Sequence, residues 1–181
     1  MKELTDLELY HAIEYAKSID EDAAQKIMVR IQLDQTALAQ TIFGIFPSVI
    51  AEQDQDMAYL FMDLCFDAIC IFEDAFGPLP SQSDMDIDWL EKQAVLLDAE
   101  MQALMKGNDM NEKIRARLKD RLINRTIEDN PQHGLVKFMN AVIDEFASES
   151  ENRTKAIPAA QSMIFVTIRL LSNLYNQSAN Y

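Results

Sequence analysis

The sequence predicts an all-α fold, a single domain built as a bundle of about seven mostly antiparallel helices, and three observations carry that expectation. Apolar residues recur at intervals of three and four along most of the chain, the spacing of one helix face. Only four glycines and five prolines punctuate the 181 residues, most of them where that periodicity lapses. No segment shows the strict apolar–polar alternation, bounded by hairpin residues, of a half-buried strand. With 49% hydrophobic and 25% charged residues the composition is globular. A chain of this length buries ~70% of its unfolded surface, enough for one sizeable core.

The first helix is expected over residues 3–18, with Leu9, Ala12, Ile13, Ala16 and Ile19 on one side. Ser18-Ile19-Asp20-Glu21 has the spacing of a capping box, in which serine and glutamate each satisfy an orphan backbone donor. A second helix over 21–46 follows, through Ile27, Ile31, Leu38, Ile42 and Ile45, until Pro47 kinks or ends it. The third covers 54–76 and stops at Gly77-Pro78-Leu79-Pro80, the clearest loop in the chain; periodicity does not decide whether 48–53 belong to it.

Ser83 can cap a fourth helix, 84–106, in which Asp84, Asp86 and Asp88 suit the positive end of the helix dipole. Leu90, Ala94, Leu97, Met101 and Leu104 form its seam, and Gly107 ends it. Asp109-Met110-Asn111-Glu112 repeats the capping spacing ahead of a fifth helix, 110–128, which carries Ile114, Leu118 and Leu122. Asn130-Pro131, a cap followed by proline at the first helical position, opens the sixth over 131–147. Ser148 to Lys155 reads as a polar loop, and the seventh helix fills 156–176.

Charge and motif content narrow the function classes. Sixteen Lys and Arg against 30 Asp and Glu give a formal charge of −14, which repels nucleic acid and anionic membrane alike. Cys65 and Cys70 stand five apart, ~140° around a helix, so they cannot bridge each other, and they form no C-x-x-C zinc or redox pair. Reduced thiols fit a cytoplasmic protein. Residues 1–6 are too acidic and polar for a signal peptide. The longest stretch free of formal charge, 35–51, is shorter than the ~20 apolar residues of a bilayer span, and the apolar C-terminal segment is interrupted by Arg169, so a soluble protein with no membrane partner is expected.

No P-loop, dinucleotide fingerprint, zinc-protease or nucleophile-elbow motif occurs, so no catalytic residue and no cofactor is inferred. Glu8-Leu9-Tyr10-His11 is the one Glu-x-x-His spacing, where a di-iron bundle needs two. His11 reads as a surface residue and His133 as part of a helix start.

Three segments concentrate chemistry. On the third helix, Asp56, Asp63, Asp67 and Asp74 fall within ~40° of one another, and Cys70 joins the line. The rest of that circumference is apolar. The stripe is a solvated strip, a strip covered by basic residues of a neighbouring helix, or a carboxylate metal site in which Asp63 and Asp67 share a cation. On the fifth helix, six of the sixteen basic residues occupy thirteen positions, and Arg117, Arg121 and Arg125 stack at i, i+4 and i+8. They are expected to pair with the acidic surface of the third and fourth helices, with an anionic protein partner or nucleic acid as alternatives. The seventh helix is apolar nearly all round, as the centre of the bundle or as a homo-oligomer interface. Its one charge, Arg169, must snorkel or meet a carboxylate, with Asp63 and Asp67 as candidates. The ten methionines read as core fillers, with a partner-binding surface as the alternative.

These residues imply a non-enzymatic cytoplasmic interaction or regulatory protein that binds a basic protein partner through an acidic surface around Asp84, Asp86, Asp88 and Glu91. The alternatives are a carboxylate-metal-dependent enzyme using Asp63 and Asp67, and a helical bundle that binds an apolar ligand.

Overall fold

The structure, a computed structural model, describes residues 1–84 and 132–178, and all the regular structure among them is helical. Helix α1 (Asp6–Ser18) opens on a capping box: Glu8 N–H donates to Thr5 Oγ1 at 3.3 Å, and Thr5 N–H donates to Glu8 Oε2 at 2.9 Å. Its inner face is Leu9, Ala12 and Ala16, with Ile13 and Ile19 partly covered. The next cap differs from the expected Ser18–Glu21 box. Ser18 closes α1 by donating to the Tyr15 carbonyl at 2.7 Å, and Asp20 caps α2 (Glu21–Asp34) by accepting from Ala23 N–H at 2.8 Å.

The second predicted helix is two pieces, not one. Gln35 leaves the helical region (φ −134°, ψ 53°), and its side chain turns inward, 2% exposed, to donate to the Pro80 carbonyl. Helix α3 (Thr36–Gln40) then runs without interruption into a π turn (Thr41–Ile45) and helix α4 (Phe46–Ala51). Pro47, expected to kink or end the helix, therefore lies inside the rod. A proline ring collides with the carbonyl four residues back in a regular α-helix; the π turn, in which Phe46 N–H reaches the Thr41 carbonyl five back, supplies the extra width.

Helix α5 (Gln55–Phe76) starts where Asp54 Oδ1 accepts from Met57 N–H at 2.8 Å. It ends at Gly77, whose φ of 91° and ψ of −177° only glycine adopts without strain. Helix α6 (His133–Ser148) begins two residues later than expected. Buried Gln132 precedes it and clamps the first residues of the chain, donating to the Lys2 carbonyl at 2.8 Å and accepting from Leu4 N–H at 3.2 Å. Much of the expected 148–155 loop is a 3-10 segment, Glu151–Ala156, which leads into α7 (Ile157–Ser178).

Packing surrounds α5 with α1, α4, α6 and α7. Three contacts set the direction of α7 along it: Arg153 to Asp56 at one end, Cys65 to Thr167 in the middle, and Tyr175 to Gly77 at the other. The two central helices are thus parallel, not antiparallel. Burial of Ala160, Met163, Ile164, Val166, Ile168, Leu171 and Leu174 puts the apolar face of α7 in the shared core. Its buried hydroxyls are satisfied within the helix, Thr167 on the Met163 carbonyl and Ser172 on the Ile168 carbonyl, each at 2.9 Å. Residues Glu151–Gln177 form the one described helix long and apolar enough to cross a bilayer by length and composition, and 56% of its most apolar window is buried inside the protein.

Tyr175 joins the ends of α5 and α7: its ring stacks on Phe72 at 5.7 Å, and its hydroxyl donates to the Gly77 carbonyl at 2.7 Å. A Cβ on Gly77 meets nothing within 4 Å, so the cost of substitution is the backbone conformation alone. Gly77→Ala is expected to destabilise the fold by ~1–3 kcal/mol in denaturant titration, with the far-ultraviolet circular dichroism of the native state unchanged.

Candidate functional site

Around α5 the expected acidic stripe divides into parts with different surroundings. Asp56 is paired: Arg153, 17% exposed at its side chain, donates to Asp56 Oδ2 at 3.1 Å and to Glu149 Oε2 at 3.0 Å, with its guanidinium 3.8 Å above the Phe146 ring centre. Asp63 and Asp74 are exposed, and Asp67 is half-buried. The ion pairs among the described residues are Lys2–Glu8, Arg30–Glu73 and the two of Arg153; none of these joins Arg169 to Asp63 or Asp67. Among the described residues the cation that covers the stripe comes from the 3-10 segment before α7, at Asp56. Cys70, on the same line, is buried.

Burial raises the carboxyl pKa of Asp63, and at Asp67 the neighbouring Asp63 charge raises it further while Lys17 opposes. The Cys70 thiol is pushed up to about 12 by burial, then by the charges of Asp67 and Glu73. Cys65 is pushed up by burial alone, against a weak bond to Thr167. Neither thiol is a nucleophile at neutral pH.

Beside Asp63 lies a cleft of about 540 Å³, lined by Glu21, Ala24, Gln25 and Met28 of α2, Phe43 of the π turn, and Met62, Asp63 and Phe66 of α5. It exists because α2 is only lightly seated. Of its fourteen residues Ile31 alone is fully buried, and Arg30 anchors its far end through an ion pair with Glu73 at 2.5 Å. Glu73 Oε1 also accepts from Leu79 N–H at 3.1 Å, and Gln82 Oε1 accepts from Ala37 N–H at 3.2 Å. The Gly77–Pro80 loop is therefore strapped to the α2–α3 junction, while the near end of α2 stands away from α5. Sequence reading did not find this cleft. Its methionines read as core fillers and Asp63 as part of a stripe, and the π turn that adds Phe43 had Pro47 as its one legible signal.

Asp84 closes a 3-10 turn, Gln82–Asp84. The other residues of the expected acidic surface (Asp86, Asp88 and Glu91), the basic Arg117, Arg121 and Arg125, and nearly all of the predicted helices 84–106 and 110–128 lie outside the described residues. His11 is exposed, its ring edge-on to Tyr10 at 5.8 Å; His133 is exposed, its backbone N–H held by Glu3 Oε1 at 3.1 Å. Among the described residues no three His, Cys, Asp or Glu side chains converge as a cation site requires, so Asp63 and Asp67 have no third ligand there. No protein-family model matches the chain, and no curated protein or solved structure is significantly similar to it.

A carboxyl whose pKa is raised by folding binds its proton more tightly in the native state, so its contribution to stability is greatest below the unfolded value near 3.8 and is lost as pH rises through the native value. Asp67→Asn is accordingly expected to raise the melting temperature by roughly 1–3 °C at pH 7, with the gain gone near pH 3, in paired thermal melts. A thiol-titrating disulfide reagent should find both cysteines silent in the native protein and both reactive in denaturant.

Proposed function

We propose that the protein is a non-enzymatic helical interaction module of the cytoplasm that binds a basic protein partner through its acidic surface. The supporting observation is the placement of charge. Residues 1–84 hold sixteen acidic and four basic side chains, while residues 132–178 hold four of each. Within the acidic part, several carboxylates are committed to the fold: Asp20 and Asp54 cap helices, Glu8 and Glu73 are paired with Lys2 and Arg30, and Asp56 with Arg153. Asp63 and Asp67 make no ion pair with any described residue and sit at partly desolvated positions, where a cation from a partner gains more than it would at a fully wet site.

Association driven by this surface is salt-sensitive, because exposed charges are screened within about a Debye length, ~10 Å at 0.1 M ionic strength. A partner captured on the immobilised protein should be basic and should dissociate several-fold more readily at ~0.5 M than at ~0.05 M salt in surface plasmon resonance. A basic partner whose affinity is the same at both ionic strengths refutes the proposal.

A further inference from the structure

We infer that the cleft between α2, the π turn and α5 seats a basic amphipathic helix of a partner protein, with apolar side chains entering between Met28, Phe43, Met62 and Phe66 and a lysine or arginine meeting Asp63. The inference rests on the preceding reading that the acidic surface binds a basic protein, and it names the place and the chemistry.

Four features point to that occupant. Met28, Phe43, Met62 and Phe66 are only half-buried, so the cleft presents apolar surface that the fold itself leaves partly wet. Two of the four are methionines, whose unbranched thioethers reshape to fit incoming side chains. Both charged side chains that line it, Glu21 and Asp63, are carboxylates, with Asp67 one turn further along α5. Among the described residues Lys17 is the cation that acts on Asp67, and none acts on Asp63.

The shape decides between a helix and a small molecule. Glu21 and Asp63 both line the cleft, and Arg30 meets Glu73 about three turns on, so α2 and α5 run in the same direction as its two walls. Two near-parallel walls with an open top form a groove of the kind that takes a helix by its i, i+3, i+4 and i+7 side chains. A small molecule there would keep much of its surface in water, whereas pockets that hold small ligands cover 70–90% or more of them. The π turn adds Phe43 to the floor; such turns recur where helices serve a function.

The test uses the full chain with [methyl-13C]methionine, titrated at low salt with a synthetic Leu/Lys amphipathic peptide of about five helical turns and with its Leu/Gln analogue. The methyl signals of Met28 and Met62 are expected to move on adding the Leu/Lys peptide, while those of fully buried Met57 and Met139 stay. Asp63→Asn should weaken that binding about 3–10-fold and Glu145→Gln on α6 should leave it unchanged. Binding of the Leu/Lys peptide with Met28 and Met62 unmoved, or with full strength in Asp63→Asn, overturns the cleft and leaves the acidic-surface reading standing. Equal binding of the Leu/Gln analogue overturns the basic occupant. Shifts of Met28 and Met62 that follow protein concentration with no peptide present give the cleft to a second copy of this chain and overturn it as well. No binding of either peptide overturns both the cleft and the reading it rests on.

Discussion

Burial of α5 on nearly every side is the constraint to which the other described elements answer. Ten of its 22 residues are buried, among them Phe61, Ile69, Ile71 and Phe72, and each large apolar side chain removed from water contributes ~1.5–3 kcal/mol. No single neighbour can cover such a rod. Helix α1 covers one flank with small residues, Ala12 and Ala16, that allow close approach; α4, α6 and α7 take the others. Parallel α7 follows from the same demand, since Arg153 at one end and Tyr175 at the other fix it in register along the full length of α5.

The acidic edge is where that enclosure stops. Sealing Asp63 and Asp67 under α2 would strip two adjacent carboxylates of water with, among the described residues, Lys17 alone acting to offset their charge, a penalty of several kcal/mol per ion. The chain avoids it by seating α2 at its far end only, through Ile31, the Arg30–Glu73 pair and the Gln35–Pro80 bond. The cleft is the space so left. Its carboxylates and its apolar floor thus have one origin, a core helix that carries charge along one edge, and the partner chemistry proposed for it follows from that pairing.

Much of this was legible in the residues. The period of α5, its Asp54 start and its Gly77 stop were all readable, as were the clustering of its aspartates and the apolar circumference of α7. Those features are local or nearly so. The capping box Thr5–Glu8 was equally local and was passed over in favour of Ser18–Glu21, where Asp20 competes successfully because a carboxylate caps as well as a hydroxyl. The break at Gln35 was illegible for a different reason: it depends on a bond to Pro80, 45 residues away, which no window of sequence contains. Pro47 marked a disturbance of the rod, but that a π turn absorbs it was illegible, since that backbone pattern has no side-chain signature. Cover of the stripe by basic residues was one of the expectations, but placing Arg153 on Asp56 required the fold.

Amide hydrogen exchange across α2 tests most directly the claim that charge on α5 holds α2 off the core. Replacing both Asp63 and Asp67 by leucine removes the charge and adds apolar surface to the same edge. Exchange over Glu21–Asp34 should then slow markedly relative to the parent protein, with the protection of α5 unchanged, as α2 closes onto the new surface. Equal or faster exchange in α2 of the doubly substituted protein would contradict the account.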